Sequence, residues 1–317
     1  MAADPVLRRP CAEGDAHPIL GGEMMDLLPQ LDALGQDCRR LLHGRGGCFP
    51  GWEHVVIDWF APTLLVTFYA EEESNAVIVD ELIQAAMGIS EITGIVVQER
   101  HLSESPKRIV YGSVPEFPVA RESGLFYQLA LDRNQNHGFF LDMKPGRDWV
   151  RAHASGKRVL NLFSYTCSLS VAAIAGGAKK VINLDMASRA LATGRKNHQL
   201  NFEADLSARA SYLAHDLFKS WGKLKRDAPY DLVIIDPPSN QGSSFYVEKD
   251  YAKIVRRLPE LIHPDSKILA CLNAPHLEES FLTELFAGYR FDSRLPQAIG
   301  FEEVRPQAAL KGLIFTP

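Results

Sequence analysis

An aspartate followed by two prolines is the most specific chemical signal in the sequence. Asp236-Pro237-Pro238-Ser239 comes directly after residues 232–235, an apolar run that predicts a buried strand. Two prolines cannot continue a central strand, so the chain leaves the sheet there in a stiff, extended turn. Such a turn fixes the Asp236 carboxyl group and the nearby carbonyl groups in space. It can hold a planar polar group beside a reaction partner.

A second signal lies where an earlier predicted strand runs into small polar residues. Residues 159–162 are followed by Phe163-Ser164-Tyr165-Thr166 and then by a helical pattern. In such a unit, backbone N–H groups point toward whatever lies above the strand. The segment lacks the glycine fingerprints of dinucleotide and triphosphate loops, so those ligand classes lose their best support. Taken alone, it is equally compatible with an ordinary strand-to-helix turn.

Two further aspartates end predicted strands. Asp185 closes the second strand, where a carboxylate can accept hydrogen bonds from both ribose hydroxyls of a nucleoside. The alternative is a helix N-cap, a role open to Asp185 or Ser188. Asp216 follows another β-rich run and could accept the exocyclic amine of an adenine. Its alternative is a solvated loop acid.

The elements that must position these residues alternate between short apolar strands and helices. Strands are predicted at 159–162, 180–184, 232–235 and 267–271, and helices near 168–175, 188–201, 251–261 and 277–285. Strands that are apolar on both faces and alternate with helices indicate a doubly wound parallel sheet of the α/β class. Ligands bind such sheets at the carboxyl ends of the strands, where the candidate residues lie.

A small α+β domain is predicted before this sheet. Its expected elements are a helix over 24–42, a hairpin over 54–69, a helix over 75–87 closed by Gly88, and strands at 94–98 and 108–111. We expect a flexible lead-in at 1–22, a small domain for substrate recognition at 23–118 and the larger α/β domain at 119–317.

Composition excludes several classes of protein. The 317 residues are 46% hydrophobic and 23% charged, which is typical of a folded protein long enough for two domains. A formal net charge of -5 argues against coating nucleic acid by charge alone. The five cysteines are scattered, so we expect neither a disulfide framework nor a metal site. Without a recognisable signal peptide or membrane-spanning run, we expect a cytoplasmic protein.

Together these motifs resemble the class I S-adenosylmethionine-dependent methyltransferases over about residues 122–317. More narrowly, the chain resembles the bacterial large-subunit ribosomal RNA methyltransferases that modify cytosine C5 or guanine N7. The resemblance is carried by Gly138-Phe139-Phe140-Leu141-Asp142, Asn161-Leu162-Phe163-Ser164-Tyr165-Thr166, Asp185, Asp216, Asp236-Pro237-Pro238-Ser239, Lys249-Asp250-Tyr251 and Leu310-Lys311-Gly312-Leu313-Ile314-Phe315. It implies a mostly parallel seven-stranded sheet with an antiparallel last strand, and S-adenosylmethionine as the cofactor.

The resemblance also implies a role for each matching residue. The expected cofactor-binding residues are Phe139, Asp142, Asn161, Phe163, Ser164, Tyr165, Thr166, Asp185, Met186, Asp216, Leu217 and Asp236. The expected substrate-binding residues are Lys144, Arg147 and Ser239, and the expected catalytic residues are Asp236, Pro237, Pro238 and Asn273. Cys167 departs from the family, which commonly has glycine there, because a side chain narrows the space and makes a positive φ angle less favourable.

A second departure bears on the substrate. Methylation of a pyrimidine at C5 needs a cysteine thiolate to add at C6. The relevant relatives place that cysteine just beyond the fifth strand, where this sequence has Asn273. Cys271 lies two residues earlier and is expected inside the strand as a small apolar residue. Guanine N7 already carries a lone pair and needs placement and desolvation only. We therefore expect methylation of a purine nitrogen, with Asn273 bonding a base edge or capping a turn.

Three alternatives remain open at this point. Cys271 could act as a nucleophile on cytosine C5, or the acceptor could be a small molecule or a protein. A non-catalytic RNA-binding or assembly factor could keep the same fold. The expected partner is large-subunit ribosomal RNA, without a membrane partner, and the sequence leaves a homodimer open.

Overall fold

The computed structural model describes residue 31 and residues 33–132, 135–241 and 244–317. The chain divides into two compact units. The small unit comprises the described residues up to Leu141 together with Ala298–Pro306. The large unit comprises Asp142–Gln297 and Gln307–Pro317.

The small unit is built on a five-stranded sheet whose strands follow chain order. Its elements are β1 (Arg39–His43), β2 (Val55–Phe60), β3 (Thr63–Phe68), helix α1 (Ser74–Met87), β4 (Gly94–Glu99) and β5 (Lys107–Gly112). β3 and β4 are parallel and are connected through α1, whereas the other pairs are antiparallel. The predicted hairpin, second helix and two following strands are therefore confirmed.

The helix predicted over 24–42 is wrong at its C-terminal end, and its first part falls largely outside the described residues. Leu41 and Leu42 belong to β1, which pairs with β2 through Leu42 and Ile57. The register shifts between Arg40 and Leu42, so this irregular strand buries two adjacent leucines. Adjacent buried leucines imitate helical spacing, which explains the error.

The small unit ends later than the predicted boundary at residue 118. A hairpin of β6 (Val119–Glu122) and β7 (Leu125–Gln128) is part of this unit. The backbone N–H of Cys38 donates to the Arg121 carbonyl at 2.7 Å. The Gln98 side chain donates to the Gln135 carbonyl at 2.8 Å. These bonds join the hairpin and the segment after it to the small sheet.

The large unit contains the predicted parallel sheet. Its strands are β8 (Arg158–Leu162), β9 (Lys180–Asp185), β10 (Ala210–Ala214), β11 (Tyr230–Ile235), β12 (Asn240–Gln241), β13 (Phe245–Tyr246), β14 (Ile262–Leu272), β15 (Arg290–Arg294) and β16 (Lys311–Thr316). Among the described strands, β12 and β13 pair only with each other, in a short hairpin. The seven-stranded sheet has the order β10-β9-β8-β11-β14-β16-β15. β16 is antiparallel to β14 and β15, and the other pairs are parallel, as predicted.

Helices connect these strands. They are α2 (Lys144–His153), α3 (Ser168–Ala175), α4 (Ser188–Asn201), α5 (Ala204–Ser207), α6 (Trp221–Arg226), α7 (Val247–Arg257) and α8 (Glu279–Leu285). Short 3-10 turns occur at Gly44–Gly46, Leu141–Met143, Leu217–Lys219, Leu258–Glu260 and Pro306–Ala308. No helix in the described part of the chain is long and apolar enough to cross a membrane.

Alternating residues of the central strands enter two separate apolar clusters. Leu160 and Val233 pack in one cluster, and Val159, Leu232 and Ile234 pack in the other. Because both faces of the sheet are covered, its strands must be apolar throughout. This explains the sequence pattern and leaves polar side chains at the strand ends.

The cysteines differ in state. Cys38, Cys167 and Cys271 are free and buried. Cys48 is disulfide-bonded, which the scattered cysteine pattern did not predict.

Candidate active site

The carboxyl ends of the parallel strands bring most of the predicted residues to one edge of the sheet. β8 ends at Leu162, β9 at Asp185 and β11 at Ile235, so Phe163 and Asp236 follow their strands directly. Since neighbouring parallel strands share this edge, side chains far apart in sequence can act on one ligand.

The loop after β8, residues 163–167, has an unusual backbone. Phe163, Tyr165 and Cys167 have φ angles of 57°, 46° and 63°. This left-handed conformation costs a residue other than glycine roughly 1–2 kcal/mol. Its occurrence at alternate positions orients successive peptide groups differently from a regular turn. Backbone strain of this kind persists only where surrounding contacts enforce it, and it clusters at ligand sites.

Asp185 provides one of those contacts. Its carboxylate accepts the backbone N–H of Tyr165 at 2.8 Å and that of Ala187 at 2.8 Å. The side chain thus organises both the loop and the start of α4, which resembles the predicted capping alternative. Each carboxylate oxygen has a further lone pair, so these bonds leave capacity for ribose hydroxyls.

Helix α4 supports the loop from behind. The Asn197 side chain donates to the Thr166 carbonyl at 2.9 Å. Gly194 faces Cys167 so closely that an added Cβ atom would lie 2.9 Å from the cysteine Cβ. A glycine in the helix therefore makes room for the cysteine in the loop.

Asn161, a predicted cofactor-binding residue, has a buried side chain. It is 1% exposed, and its amide donates to Asn183 Oδ1 at 3.0 Å. Asn183 in turn donates to Ser170 Oγ at 3.0 Å, which lies 2.9 Å from His198 Nε2. Burial lowers the pKa of His198 to about 4, so this internal polar chain is neutral at physiological pH.

A narrow cleft, with a cavity volume of about 20 Å³, lies next to the loop. It is lined by Phe163, Leu184, Asp185, Met186, Asp216, Leu217, Phe218, Ser244 and Phe245. Sequence reasoning identified five of these residues and missed Leu184, Phe218, Ser244 and Phe245. The Phe163 and Phe245 rings meet edge to face, with their centroids 5.0 Å apart. Apolar walls with two carboxylates suit a flat ligand that carries hydrogen-bond donors.

Asp216 has a structural partner as well. Its carboxylate accepts the backbone N–H of Phe218 at 2.9 Å and caps the turn that follows. Lys219 Nζ lies 3.5 Å from its other oxygen. The residue therefore lines the cleft and also fixes the turn that carries Leu217 and Phe218.

Asp236 lies in a cluster of charges. The pKa of its carboxyl group is raised to about 7, mainly by burial and then by the negative charge of Asp142, and the Arg147 guanidinium partly offsets both effects. Arg147 is only 2% exposed, so it lies inside the fold rather than on an RNA-facing surface. We now propose it as the counter-charge of Asp236. Lys144, another predicted substrate-binding residue, is paired with Asp148 at 2.6 Å.

Two hydroxyl groups bond the backbone on either side of the turn Asp236-Pro237-Pro238. The buried Tyr251 hydroxyl donates to the carbonyl of Ile235 at 3.4 Å and to that of Cys271 at 3.2 Å. Ser239 Oγ donates to the carbonyl of Asn273. The ends of β11 and β14 are thereby joined, and Asn273 remains exposed beside the turn.

Phe139 was predicted at the cofactor site, and Cys271 was predicted to lie inside its strand. Phe139 is buried in the small unit, where its ring stacks on Tyr127 at 4.5 Å, and it is not among the cleft-lining residues. Cys271 is fully buried in the strand, as predicted. Within the described ranges, no three His, Cys, Asp or Glu side chains are arranged to hold a metal ion.

A profile of the S-adenosylmethionine-dependent methyltransferases matches residues 39–316. The chain belongs to this family. Among solved structures, that of SMU.776, described as a methyltransferase complexed with SAH, is 26% identical, with a TM-score of 0.77. The superposition covers 93% of the present chain and 81% of the SMU.776 chain.

Ribosomal RNA methyltransferases align with a smaller share of this chain. A ribosomal RNA large subunit methyltransferase of Deinococcus radiodurans is 35% identical over 224 residues, which is 67% of this chain and 53% of that protein. The ribosomal RNA large subunit methyltransferase I of Aeromonas salmonicida is 28% identical over 210 residues, 65% of this chain and 52% of that protein. This methyltransferase thus spans about half the length of these curated relatives.

The residues that line the cleft, two carboxylates among apolar side chains, have the chemistry to hold the nucleoside part of S-adenosylmethionine, the cofactor of the family. We propose that Asp185 accepts hydrogen bonds from the ribose hydroxyls and Asp216 from the adenine amine. The apolar walls would enclose the adenine ring.

The pairing of Gly194 with Cys167 gives a first prediction. Gly194→Ala should lower the free energy of unfolding by about 1–3 kcal/mol through overpacking. In a Cys167→Gly background the same change should cost much less, because only the Thr166 carbonyl carbon, 3.2 Å from the added Cβ atom, stays close and alanine favours a helix by about 1 kcal/mol over glycine. Denaturant unfolding of the four variants measures the coupling.

Gly222 in α6 provides the matched control, because nothing lies within 4 Å of a Cβ atom added there. Gly222→Ala should not be destabilising in either background. Equal effects of Gly194→Ala with and without the Cys167 side chain would show that the cysteine is not what requires glycine.

Proposed function

We propose that this methyltransferase modifies a base of large-subunit ribosomal RNA at a purine nitrogen, such as guanine N7, in the cytoplasm. One observation carries the choice of atom. The stiff turn at Asp236 presents a carboxyl group at the sheet edge, while the neighbouring strand keeps Cys271 fully buried. This geometry suits placement of a lone pair rather than covalent attack on a ring carbon.

The names of the relatives support RNA as the substrate. The Deinococcus radiodurans and Aeromonas salmonicida proteins are both named ribosomal RNA large subunit methyltransferases. Their names do not specify the base or the atom. An unpaired or extruded base is the expected target, because the reacting atom of a stacked base cannot enter a recessed site.

The chemistry assigns distinct tasks to the residues of the turn. S-adenosylmethionine supplies an electrophilic methyl group when it is bound. The ionised Asp236 carboxylate accepts N–H groups of the base edge and offsets the positive charge that guanine gains on N7 methylation. Pro237 and Pro238 keep the carboxylate in place, so little reorganisation is needed during the reaction. Asn273 can contribute an amide to the same base.

The state of Cys271 opposes cytosine C5 as the target. Burial raises the pKa of its thiol far above the ordinary value, and the charges of Asp236 and Asp142 add to this effect. A nucleophilic cysteine needs the thiolate and an accessible sulfur. Cys271 instead packs in the apolar cluster that includes Ile234 and Leu269.

The raised pKa of Asp236 predicts the pH dependence. If the ionised carboxylate is the active form, kcat/KM should increase with pH and level off above an apparent pKa of about 7. Asp236→Asn should lower the plateau by a factor of about 10² or more and abolish this titration. The measurement is a pH series of methyl transfer to ribosomal RNA.

Calorimetric titration separates this effect from cofactor binding. The Asp236→Asn variant should keep its affinity for S-adenosylmethionine. The Asp185→Ala variant should lose about 1–3 kcal/mol of the free energy of S-adenosylmethionine binding. A wild-type pH profile in Asp236→Asn would contradict the assigned role.

The buried thiol predicts that Cys271 is dispensable. Cys271→Ala, with Cys271→Ser as a second variant, should retain single-turnover rates within about threefold of wild type, because no transition-state contact is removed. Loss of a covalent nucleophile would instead lower the rate by roughly 10⁴-fold or more. A folded, cofactor-binding and inactive Cys271→Ala would favour cytosine C5.

A further inference from the structure

A surface depression in the small unit lies outside the cleft and the Asp236 turn. It is lined by Gly51, Glu53, His54, Tyr69, Ala70, Glu72 and Ser74. Its volume of about 500 Å³ lies within the range of about 300–1,000 Å³ typical of small-ligand sites. None of these residues takes part in the cofactor or catalytic roles proposed above.

Backbone and side-chain contacts make the depression a formed feature. Tyr69 N–H donates to the His54 carbonyl at 2.7 Å, which closes the open end of the β2–β3 hairpin. The His54 ring stacks on Phe68, with centroids 6.2 Å apart, and its Nε2 lies 3.5 Å from Ser74 Oγ. The Asn75 side chain donates to the Ala70 carbonyl at 3.1 Å.

Two arginines flank Tyr69. The Arg45 guanidinium carbon lies 4.2 Å from the centroid of the Tyr69 ring, and that of Arg100 lies 5.9 Å from it. Arg100 is also held by the Gln135 carbonyl and by Asn136 Oδ1, each at 3.2 Å. Arg45 is exposed, with its planar group held over the tyrosine. Arginine planes and aromatic rings are the surfaces on which unpaired bases stack.

The remaining lining groups complement this surface. The carboxylates of Glu53 and Glu72 are exposed and can accept the N–H groups of a base edge. The same carboxylates repel phosphate, so a continuous RNA backbone cannot lie across the depression. The combination suits a single inserted base whose adjoining phosphate contacts the arginines.

We propose that this depression binds one unpaired base of the RNA substrate, stacked on the Tyr69 ring that Arg45 holds in place. The inference rests on the proposed function in taking RNA as the partner. It adds a recognition site on the small unit that contributes to RNA affinity and not to the chemical step.

The test uses the full chain and fluorescein-labelled single-stranded RNA oligomers, one composition for each base. Arg45→Ala and Tyr69→Leu should each raise the Kd by about 5- to 100-fold, the effect of losing one stacked base. Arg45→Lys keeps the charge but loses the plane, so it should also weaken binding. Tyr69→Phe keeps the ring and should bind like wild type.

Arg121→Ala is the matched control. Arg121 is an arginine of the same unit, 44% exposed at its side chain and 3.5 Å from Asp37, whereas Arg45 lies over the Tyr69 ring. Its substitution removes the same charge and should leave the Kd nearly unchanged. Circular dichroism melts establish that each variant is folded.

Methylation of ribosomal RNA by the same variants separates the two claims. With wild-type activity present, Arg45→Ala and Tyr69→Leu should raise the KM for RNA and leave kcat and S-adenosylmethionine affinity unchanged. Wild-type Kd and KM in both folded variants would overturn the inference and leave the proposed function intact. RNA binding that depends on Tyr69, without methylation of any ribosomal RNA, would support the depression and contradict the proposed function. A wild-type protein that binds none of the oligomers would overturn the inference.

Discussion

The left-handed backbone of Phe163, Tyr165 and Cys167 is the constraint on which the site depends. Each of these residues adopts a conformation that favours glycine, and the loop is retained because partners from other strands and helices hold it. Asp185 binds the Tyr165 amide, Asn197 binds the Thr166 carbonyl, and Gly194 leaves space for the Cys167 side chain. The cleft is therefore a property of the assembled sheet and α4, not of the loop alone.

The second feature of the site is a set of charges at the end of β11, in which Asp236 and Asp142 are half-buried and Arg147 is buried. Burial and the charge of Asp142 raise the cost of ionising Asp236, and Arg147 reduces it. A carboxyl group with a pKa of about 7 can change its protonation state near physiological pH. Because the Tyr251 and Ser239 hydroxyl groups bond the carbonyl groups around the turn, the Asp236 carboxylate lies at a defined position.

Much of the large unit could be predicted because its sheet is buried on both faces. Continuous apolar strands located the sheet, and the polar residues at their ends, such as Asp185 and Asp236, followed directly. Features that depend on tertiary packing were not accessible. Nothing in the sequence around Arg147 distinguishes a buried counter-charge from an RNA-binding arginine. Phe245 lines the cleft because the hairpin of β12 and β13 places it there, and these two-residue strands show no hydrophobic pattern from which they could be predicted.

In the small unit, too, features that depend on tertiary packing could not be predicted from the sequence. Leu41 and Leu42 gave a helical spacing, but a strand irregularity buries both of them. Ala298–Pro306 belongs to the small unit although it is more than a hundred residues away in sequence. Its Val304 amide donates to the Gly46 carbonyl at 2.8 Å, and Glu303 lies 3.1 Å from His43 Nε2. Such long-range contacts leave no periodic trace in the chain.

The central claim is that the site methylates a purine nitrogen of large-subunit ribosomal RNA. Its most direct test is mass spectrometry of nucleosides from ribosomal RNA of cells with and without the protein. The account predicts that one methylated purine, 7-methylguanosine in the first instance, is lost from the large-subunit RNA and restored by the wild-type chain. Loss of 5-methylcytidine, or an unchanged set of modified nucleosides, would contradict it.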